Sequence, residues 1–561
     1  MKKSILVLTL VLMMLLGIFA GCGSNPEPAE EPSEASEASA PPAEKEAETG
    51  TPDAAGPDAE ADEVPEAGIF PLADTVTISM MDTLPGPIAP YVEDMHELYY
   101  VRALEEATNV HVEYELLSTV GAAETFKVMV ASGDWPDVCY QPQQYFNGGA
   151  AEMLNEEFAL ELTELIDDYM PNYRALLENN EDLSKYAHLT DGSMALIYGL
   201  YDEGFPRTQG LLIREDFLRR VGKTASDITT YDDLHDALLA MKTELGLTNA
   251  MWMSGFDMMN AGLSAGYDVF AYSGMALFPP FMNVDGTVKY GPYEENFRDY
   301  LYMLRDWYGE GLISPDFVTV KMTNMQMYSD LIETVGCYSG EGSWATTDRD
   351  FSPNEDWELA GILNPVKQEG DVTHLAFNNE RIHGGAVCIT TTAKDPGLIA
   401  EYFDFWFSEE GYYILNYGGY EGETYRFDEN GDPQYCEEIF QQWTGVSESF
   451  KAFMFTAFRG AYVYDWRRQF YGFNQNSLDA IDLWTTMDSS WMIDGSVSMS
   501  PEDAELYNSR YGDIMTYVQE SYVKFITGEM SLEDEWGDYA ATLELMGIRD
   551  CIDCYQRAVD A

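Results

Sequence analysis

Basic residues are scarce in this sequence. Its 561 residues include 30 lysines and arginines against 98 aspartates and glutamates, which gives a formal net charge of −68 at pH 7. Nucleic acid phosphates and anionic membrane surfaces would repel such a chain, because Coulomb repulsion opposes every approach. A role in binding DNA or RNA is therefore excluded.

Cysteine and histidine are also rare, with seven and six residues respectively. Seven cysteines cannot staple a fold of this length, and they lack the paired spacing of a zinc ribbon. Cys551 and Cys554 are three residues apart in a predicted helix, where a disulfide would be strained, so we expect them to pack rather than to pair. The histidines form no H-E-x-x-H motif, and we predict neither a metal site nor a cofactor.

Long apolar runs are missing except at the amino terminus. Lys2 and Lys3 precede an apolar run over residues 5–20, and Gly21 and Cys22 follow it. The pattern predicts a secretory signal over residues 1–21, since a run of about 16 residues is short for a transmembrane helix. The Ala-Gly-Cys ending resembles the lipobox of bacterial lipoproteins, although Phe19 stands where that motif usually has Leu, Val or Ile. This resemblance implies lipid attachment at Cys22, and an ordinary secreted protein is the alternative.

Bulky side chains are almost absent from residues 22–70. This segment consists mainly of Pro, Ala, Ser and acidic residues, so it cannot bury enough apolar surface to offset the entropy of ordering. We predict a disordered, self-repelling tether after the lipidated cysteine. Such a tether would hold the rest of the chain away from a membrane, as on the surface of a Gram-positive bacterium.

The remaining residues have the composition of a large globular protein. The chain is 46% hydrophobic and 13% aromatic, and it is longer than one compact domain should be. Alternating segments at 75–80 and 110–115 predict strands, and helical spacing over 99–108 predicts a helix between them. Such alternation indicates an α/β fold with a mainly parallel sheet. Ligands bind beyond the carboxyl ends of such strands, so the loops at Asp82 and at 141–145 are candidate sites.

Recognisable motifs occur in a fixed order along this globular part. They are ASGDWPD at 131–137, a helix and an EGLISPDF turn within 291–317, a DP-initiated helix ending in SEEG at 395–411, EGETY at 421–425, and terminal segments at 525–529, 545–548 and 555–556. In this order, behind a lipobox, they resemble the extracellular solute-binding lipoproteins of bacterial ABC importers. The resemblance is specifically to the carbohydrate-type family that includes the LplA-like proteins.

This resemblance implies an α/β, two-lobed fold of the periplasmic-binding-protein type, with hinge crossovers and a helix-rich carboxyl-terminal region. By analogy, residues 71–195 and 362–445 would form the first lobe. Residues 196–361 and 446–561 would form the second lobe together with the terminal helices. Closure of the lobes about their hinge converts ligand binding into a shape that a membrane permease can read.

The resemblance also implies a binding protein rather than an enzyme. It would be a monomeric, lipid-anchored receptor on the extracellular face of the cell membrane, delivering an oligosaccharide or a related uncharged solute to ABC permease subunits. One alternative is a cell-surface glycoside hydrolase, which needs two carboxylates about 5 Å or about 6.5–9.5 Å apart. A non-transporting ligand sensor and a peptide-binding receptor are further alternatives, since aromatic clefts also suit extended peptides.

Sugar binding needs flat apolar rings against C–H faces and polar side chains that hydrogen-bond to hydroxyls. Most of the 37 tyrosines and 11 tryptophans must pack in the core, so position along the chain decides between candidates. Trp344 follows a predicted strand and turn, and it resembles the tryptophan that stacks on sugar in related receptors. The other candidates follow predicted strands, flank the Gly/Ser/Met-rich stretch 254–266, or are polar residues elsewhere in the chain. The predicted ligand-binding residues are Asp82, Tyr140, Gln141, Gln144, Tyr145, Trp252, Tyr267, Glu341, Trp344, Arg381 and Glu421.

Other motifs favour structural interpretations. Residues 262–266 fit G-x-S-x-G, but no strong buried strand precedes them, as a nucleophilic serine elbow requires. Residues 222–224 are Gly-Lys-Thr without the glycine that a phosphate loop needs five residues before the lysine. Related receptors sometimes carry a calcium loop where this chain has ELGLTNA at 244–250, so we expect that metal site to be absent. The negative charge disfavours anionic sugars such as polyuronates unless Arg381 or another base compensates.

Overall fold

The computed structural model describes residues 69–84, 92, 94–118, 121–146, 149–189, 191–202, 204–256, 261–271, 280–319, 333–376, 382–436, 460–470, 473–493, 497 and 499–560. The strands are β1 (Val76–Leu84), β2 (Val110–Ser118), β3 (Val138–Tyr140), β4 (Ile197–Tyr201), β5 (Gln209–Arg214), β6 (Asn249–Met251), β7 (Phe281–Val284), β8 (Thr287–Tyr290), β9 (Val335–Glu341), β10 (Leu359–Ile362), β11 (Ile382–Ile389), β12 (Tyr425–Phe427), β13 (Pro433–Tyr435) and β14 (Val463–Tyr464).

The helices are α1 (Tyr99–Thr108), α2 (Ala122–Ser132), α3 (Gly149–Asn155), α4 (Thr163–Tyr169), α5 (Pro171–Asn179), α6 (Glu181–Ala187), α7 (Glu215–Arg220), α8 (Tyr231–Leu245), α9 (Ala261–Ser264), α10 (Glu295–Gly309), α11 (Trp344–Phe351), α12 (Pro396–Phe405), α13 (Glu409–Tyr417), α14 (Gln475–Thr485), α15 (Pro501–Thr527), α16 (Trp536–Met546) and α17 (Ile548–Asp560). Within the described ranges, none of these helices is both long enough and apolar enough to cross a membrane.

The first sheet has the strand order β14-β4-β11-β3-β1-β2. Adjacent strands in this sheet are parallel, except that β11 runs antiparallel to both β3 and β4. β1 and β2 pair in register from Val76 opposite Val110 to Leu84 opposite Ser118, with α1 between them in the chain. The predicted β-α-β opening is therefore confirmed.

The second sheet has the order β10-β5-β9-β6. β9 runs parallel to β6 and antiparallel to β5, and β10 is also antiparallel to β5. Each sheet has its own core: Ile78 and Val387 lie in the first, and Leu211 in the second. Tyr522 and Tyr539 of the terminal helices pack into the second core. The chain thus forms two α/β lobes with a helix-rich carboxyl-terminal region, as predicted.

Helix α10 shows how the sequence pattern produces this packing. Its apolar residues recur every three or four positions, so they share one face that turns toward the second core. The buried residues on that face are Phe297, Tyr300, Leu301, Leu304 and Trp307. Gly311, in the left-handed region at φ 69°, follows the helix end and allows the chain to turn back.

The chain passes between the lobes three times within the described strands. These crossovers lie between β4 and β5, between β10 and β11, and between β14 and α14. The predicted lobe limits at 195 and 445 precede β4 and β14, yet both strands pair within the first sheet. The first and third crossovers therefore occur later in the chain than the predicted limits, because pairing with β11 and with β4 keeps these strands in the first lobe.

Several sequence motifs have structural roles. Asp137 of the ASGDWPD segment accepts hydrogen bonds from the backbone N–H and the hydroxyl of Ser79, each at 2.8 Å, and so ties the start of β3 to β1. Asp395 accepts from the Leu398 N–H and caps α12, and Ser408 accepts from the Gly411 N–H and caps α13.

The remaining motifs also fit structural interpretations. Ser264 of the G-x-S-x-G segment is buried in the short helix α9, and the preceding strand of the described residues, β6, ends thirteen residues earlier at Met251. Residues 244–250 form the end of α8, a turn at Gly246 and the start of β6. Cys551 and Cys554 are free thiols packed on α17, as expected.

Candidate functional site

The carboxyl ends of parallel strands in the first sheet bring polar residues to one edge. Asp82 lies near the end of β1, Gln141 follows β3, Asp202 follows β4 and Asp465 follows β14. These strands run in the same direction, so the four residues lie along the same edge of the sheet. This is the edge where open α/β sheets bind ligands. We call it the first edge.

Two of the predicted residues on the first edge are held tightly. Asp82 is buried and accepts a hydrogen bond of 2.5 Å from the backbone N–H of Thr83. Gln141 has a left-handed backbone with φ 48°, which is uncommon outside glycine, and its N–H donates to the Ala386 carbonyl at 2.8 Å. Strained residues of this kind cluster at ligand sites, so Gln141 is a stronger candidate than its residue type alone suggests.

The neighbouring predicted residues contribute more to packing. Tyr140 is buried in the first core, and burial raises the pKa of its phenol. Tyr145 is half-buried, with its ring centroid 5.3 Å from that of Phe126. Gln144 ends a short 3-10 helix over Pro142–Gln144, and its side chain lies outside the described residues.

A second group of polar residues lies at the end of the second sheet that is joined to the crossovers. We call it the second edge. Gln209 begins β5 and pairs with Glu341 at the end of β9. Gln209 Nε2 donates to Glu341 Oε1 at 2.5 Å. Burial raises the pKa of Glu341 to about 7, against hydrogen bonds with Gln209 and Thr208 that lower it. Glu341 is thus a half-buried carboxyl group that can exchange its proton near neutral pH.

The two predicted tryptophans of this edge have contacts typical of core residues. Trp344 is 1% exposed and stacks on Tyr338, with 6.0 Å between the ring centroids. Trp252 is also buried, and its ring meets that of Tyr338 edge-on, with 6.2 Å between the centroids. Gly340 lies directly beneath the Trp344 ring, where the Cβ of any other residue would overlap the indole. The predicted sugar contact of Trp344 stays a prediction, and ligand could reach the ring only if this packing opened.

Other predicted residues lie apart from both edges or outside the described residues. Tyr267 packs between Tyr231 and Tyr300, with Lys367 5.2 Å above its ring, and burial raises its pKa to about 12. Glu421 is exposed in the turn before β12. Arg381 and the proposed lipidation site Cys22 lie outside the described residues.

The crossovers also carry an aromatic group that is not among the predicted ligand-binding residues. The rings of Tyr201 and Phe205 stack with centroids 4.0 Å apart, and Tyr464 meets Tyr201 edge-on at 4.8 Å. On the third crossover, the rings of Trp466 and Phe470 are 5.3 Å apart. All of these rings except that of Tyr464 are only partly buried. Rings held in this way have the shape and exposure that stacking on a sugar requires.

Carboxylates and an arginine lie beside these rings. Asp465 is fully buried and accepts hydrogen bonds from Tyr417 Oη at 2.6 Å and from Nε and Nη2 of Arg467 at 2.8 Å each. Burial alone would raise the pKa of Asp465, but the hydrogen bonds from Arg467 and Tyr417 lower it. Asp202 accepts a hydrogen bond from the Trp466 N–H at 3.5 Å, which connects the first and third crossovers.

One signal in the sequence could have identified this group. β4 and β14 both end in Tyr-Asp, at 201–202 and 464–465. The two strands pair in parallel with Tyr464 opposite Tyr201, so the repeated dipeptide places two rings and two carboxylates side by side. The crossovers are then fixed to the second lobe, where Arg207 donates to the Thr485 carbonyl at 2.8 Å and to Ser489 Oγ at 2.7 Å.

Comparisons with known proteins agree with this architecture. No protein-family model matches the chain. Over 188 residues the chain is 28% identical to the fructooligosaccharide ABC transporter substrate-binding protein FusA of Streptococcus pneumoniae serotype 4. This match covers 32% of the chain and 33% of that protein, so it spans about a third of the length of the curated relative.

Solved structures match over most of the chain. A solute-binding protein from Bifidobacterium longum infantis, described as binding human milk oligosaccharides, superposes with a TM-score of 0.70 at 16% identity over 87% of this chain and 99% of its own. The alginate-binding protein AlgQ2 gives 0.67 at 22% identity, covering 89% and 100%. FusA of S. pneumoniae with kestose gives 0.64 at 18% identity, covering 86% and 99%. These likenesses show the two-lobed fold, and the predicted resemblance to carbohydrate-type extracellular solute-binding proteins is confirmed.

Proposed function

We propose that this protein is the substrate-binding component of an ABC importer and that it captures an oligosaccharide between its two lobes. The observation that carries the proposal is the arrangement of the two edges, which are joined by the crossovers at the carboxyl ends of the strands. Partly buried rings, carboxylates and amides lie together there. This is the combination that recognises the C–H faces and hydroxyls of a sugar.

The crossovers also supply a hinge. Because each lobe has its own core and the described strands join through three connections, the lobes can rotate as units. Ligand held by both edges would favour the closed arrangement, and a membrane permease would bind that shape. In the same proposal the receptor is a monomer, and it delivers its ligand to the permease subunits.

Charge favours a neutral sugar. Asp82, Asp202 and Asp465 lie on the first edge, while the guanidinium groups of Arg207 and Arg467 are already hydrogen-bonded within the crossovers. A uronate oligomer would bring further negative charge to this region, and the chain as a whole carries −68. We therefore propose that fructooligosaccharides or milk-type neutral oligosaccharides bind in preference to alginate oligomers.

The location of the protein is part of the same proposal. Cleavage before Cys22 and lipid attachment at its thiol would hold residues 23–70 as a tether on the extracellular face of the membrane. In cells that express the protein, Cys22→Ser should move it from the membrane fraction to the medium. Mass spectrometry of the amino terminus should find the lipid only in the unsubstituted protein, and an unlipidated, soluble wild type would contradict this.

The experiment that tests the receptor function is a thermal-shift screen of the purified protein. Kestose, neutral milk oligosaccharides, alginate oligomers, peptides and vitamins would be the probes. A ligand that binds only the folded state must raise the melting temperature by mass action. A shift with a neutral oligosaccharide supports the proposal. A shift with peptides alone would instead make the protein a peptide receptor, and preference for the alginate oligomer would remove the inference from charge.

Glu341 is the observation that favours a glycoside hydrolase as the second candidate. A carboxyl group with its pKa raised to about 7 is what a general acid needs at neutral pH. Its hydrogen bond to Gln209 also fits a purely binding role. Chromatography of any bound oligosaccharide after prolonged incubation distinguishes the two, because a receptor returns it intact. Binding without uptake in cells that have a matching permease would favour a sensor.

A further inference from the structure

A cluster of two imidazoles and a carboxylate lies at the opposite end of the first lobe from the first edge. His96 belongs to a 3-10 helix over Met95–Glu97, Glu105 lies on α1 and His111 is the second residue of β2. The candidate ligand atoms of these three side chains lie within 4.8 Å of one another. The sequence gives no sign of this cluster, because its members are far from the spacing of known metal motifs.

The ring of His96 is oriented by a neighbouring carboxylate. Its Nδ1 lies 2.8 Å from Asp94 Oδ1. An ionised carboxylate can only accept hydrogen bonds, so Nδ1 carries the proton and Nε2 of the neutral ring carries a lone pair. Asp94 is fixed in turn by a capping box with Glu97. A carboxylate that orients an imidazole through its other nitrogen is the usual support of a metal-binding histidine.

Among the described residues, the remaining nitrogen of His96 has no hydrogen-bond partner. Nε2 is buried, and Oε2 of Glu105 lies 3.8 Å away, too far for a hydrogen bond. A buried nitrogen without a partner costs free energy. This lone pair is directed toward a carboxylate that would repel it, and a cation between the two would satisfy both.

His111 completes the set on the other side of Glu105. Its Nδ1 lies 3.2 Å from Glu105 Oε1, within hydrogen-bond reach, so in the metal-free protein this nitrogen carries a proton that a metal ion would displace. The ring of His111 stacks on that of His96 with centroids 4.8 Å apart. Zinc binds nitrogen and oxygen ligands at about 2.0–2.2 Å, so ligand atoms around it lie roughly 3.3–3.6 Å apart. The separations of 3.2 and 3.8 Å on either side of Glu105 bracket this range, and the two stacked rings must rotate relative to each other for both nitrogens to face one ion.

We propose that His96, Glu105 and His111 bind a divalent transition metal ion of the zinc class. Two imidazoles and one carboxylate suit zinc, whereas calcium and magnesium prefer sites made of oxygen ligands. Water would occupy the fourth position, and Asp94 would be a positioning residue. The ion would fasten the segment Met95–Glu97 to α1 and β2.

The proposed site is separate from sugar binding. His111 pairs with Thr77 at the start of β1, and Asp82 of the first edge pairs with Leu116, five residues further along β2. At about 3.3 Å per residue in a strand, this places the two sites roughly 16 Å apart. Metal binding should therefore change stability while leaving oligosaccharide affinity unchanged.

The test is a calorimetric titration of the purified protein with Zn²⁺ in excess Ca²⁺, which occupies the many surface carboxylates. We expect one site per chain, weakened at least tenfold by His96→Gln and by His111→Gln. Asp94→Asn should weaken it by about tenfold to a hundredfold, since it removes only the orienting group. His235→Gln is the matched control, because His235 also faces a carboxylate, Glu310 at 2.7 Å, but no second histidine is part of its group.

Melting temperatures provide a second readout. Zinc should raise the melting temperature of the wild type and of His235→Gln, and at the same concentration should raise that of His111→Gln by clearly less. Thermal unfolding of each variant in the presence of a chelator verifies that the variant is folded before zinc is added. If His96→Gln does not fold, His111→Gln alone tests the proposal, because its side chain lies on the surface of β2. Equal zinc affinity and stoichiometry in wild type, His96→Gln and His111→Gln would overturn the proposal, because the binding would then be diffuse.

Discussion

The two edges that meet at the crossovers are built differently. The first edge is ionic: Asp465 is buried and pairs with Arg467, and Asp202 is bonded to the third crossover. The second edge is mainly aromatic, with Trp344 stacked on Tyr338 beside one titratable carboxyl group, Glu341. The difference teaches that a tryptophan after a strand end can pack into a core, as Trp344 does on the second edge, and its sugar contact stays a prediction.

The functional consequence is a division of roles between the edges. On the first edge, hydrogen bonds from Arg467 and Tyr417 lower the pKa of Asp465 and keep this carboxylate ionised at neutral pH. The carboxyl group on the second edge can change its protonation near neutral pH. The partly buried rings belong to the crossovers themselves, which are the segments that move when lobes close.

The largest effect expected from this contrast is that of Gly340→Ala. A methyl group at position 340 would overlap the Trp344 ring, so the second lobe must repack at a cost of about 3 kcal/mol of unfolding free energy. Gly309→Ala is the matched control, because no atom lies within 4 Å of the added methyl group. Urea unfolding measures both. Equal stability of the two variants would contradict the buried position of Trp344.

Asp465→Asn tests the ionic character of the first edge. The substitution leaves Arg467 and Tyr417 with a neutral partner and should lower the unfolding free energy by about 2 kcal/mol at pH 7. The pKa of Asp465 is lowered in the folded state, so its contribution is present at neutral pH and is lost as the pH falls below 3.8.

The control for this substitution is Asp432→Asn. Asp432 meets the same arginine at 3.5 Å but is exposed, and its removal should cost less than about 0.5 kcal/mol. If both asparagine variants lost the same stability, the contrast between a buried and a surface partner of Arg467 would be wrong.

Glu341→Gln tests the titratable group of the second edge and has the smallest expected effect. The folded pKa of about 7 lies above the ordinary value of 4.5, so stabilisation by the protonated form is full below pH 4.5 and is lost as the pH rises to 7. Glutamine is neutral throughout. Relative to wild type, the variant should gain about 1–2 kcal/mol of stability between pH 5 and pH 8. Parallel pH profiles would show that Glu341 is not buried.

Local pattern predicts the fold and part of the site. The alternation of 75–80 and 110–115 identifies β1 and β2, and strand ends fall within a residue or two of Asp82, Gln141 and Glu341. Such positions can be found from sequence because a strand and its following loop are adjacent in the chain.

The features that the sequence does not predict depend on contacts between segments that are distant in the chain. The burial of Trp344 depends on the packing of its helix over Gly340 and Tyr338, and no local pattern shows which face of the ring is covered. The Tyr201 and Trp466 group depends on pairing between β4 and β14, which are far apart in the chain. The same is true of His96, Glu105 and His111, which come from three different elements.

The most direct test of binding between the lobes is a titration of the best oligosaccharide from the screen onto variants of both edges. Gln141→Ala represents the first edge and Glu341→Ala the second, with His235→Gln as a remote control. If ligand is held between the lobes, both edge variants should weaken binding about tenfold, as each removes one or two hydrogen bonds, and the control should not. Loss of affinity in only one edge variant, or in neither, would contradict the account.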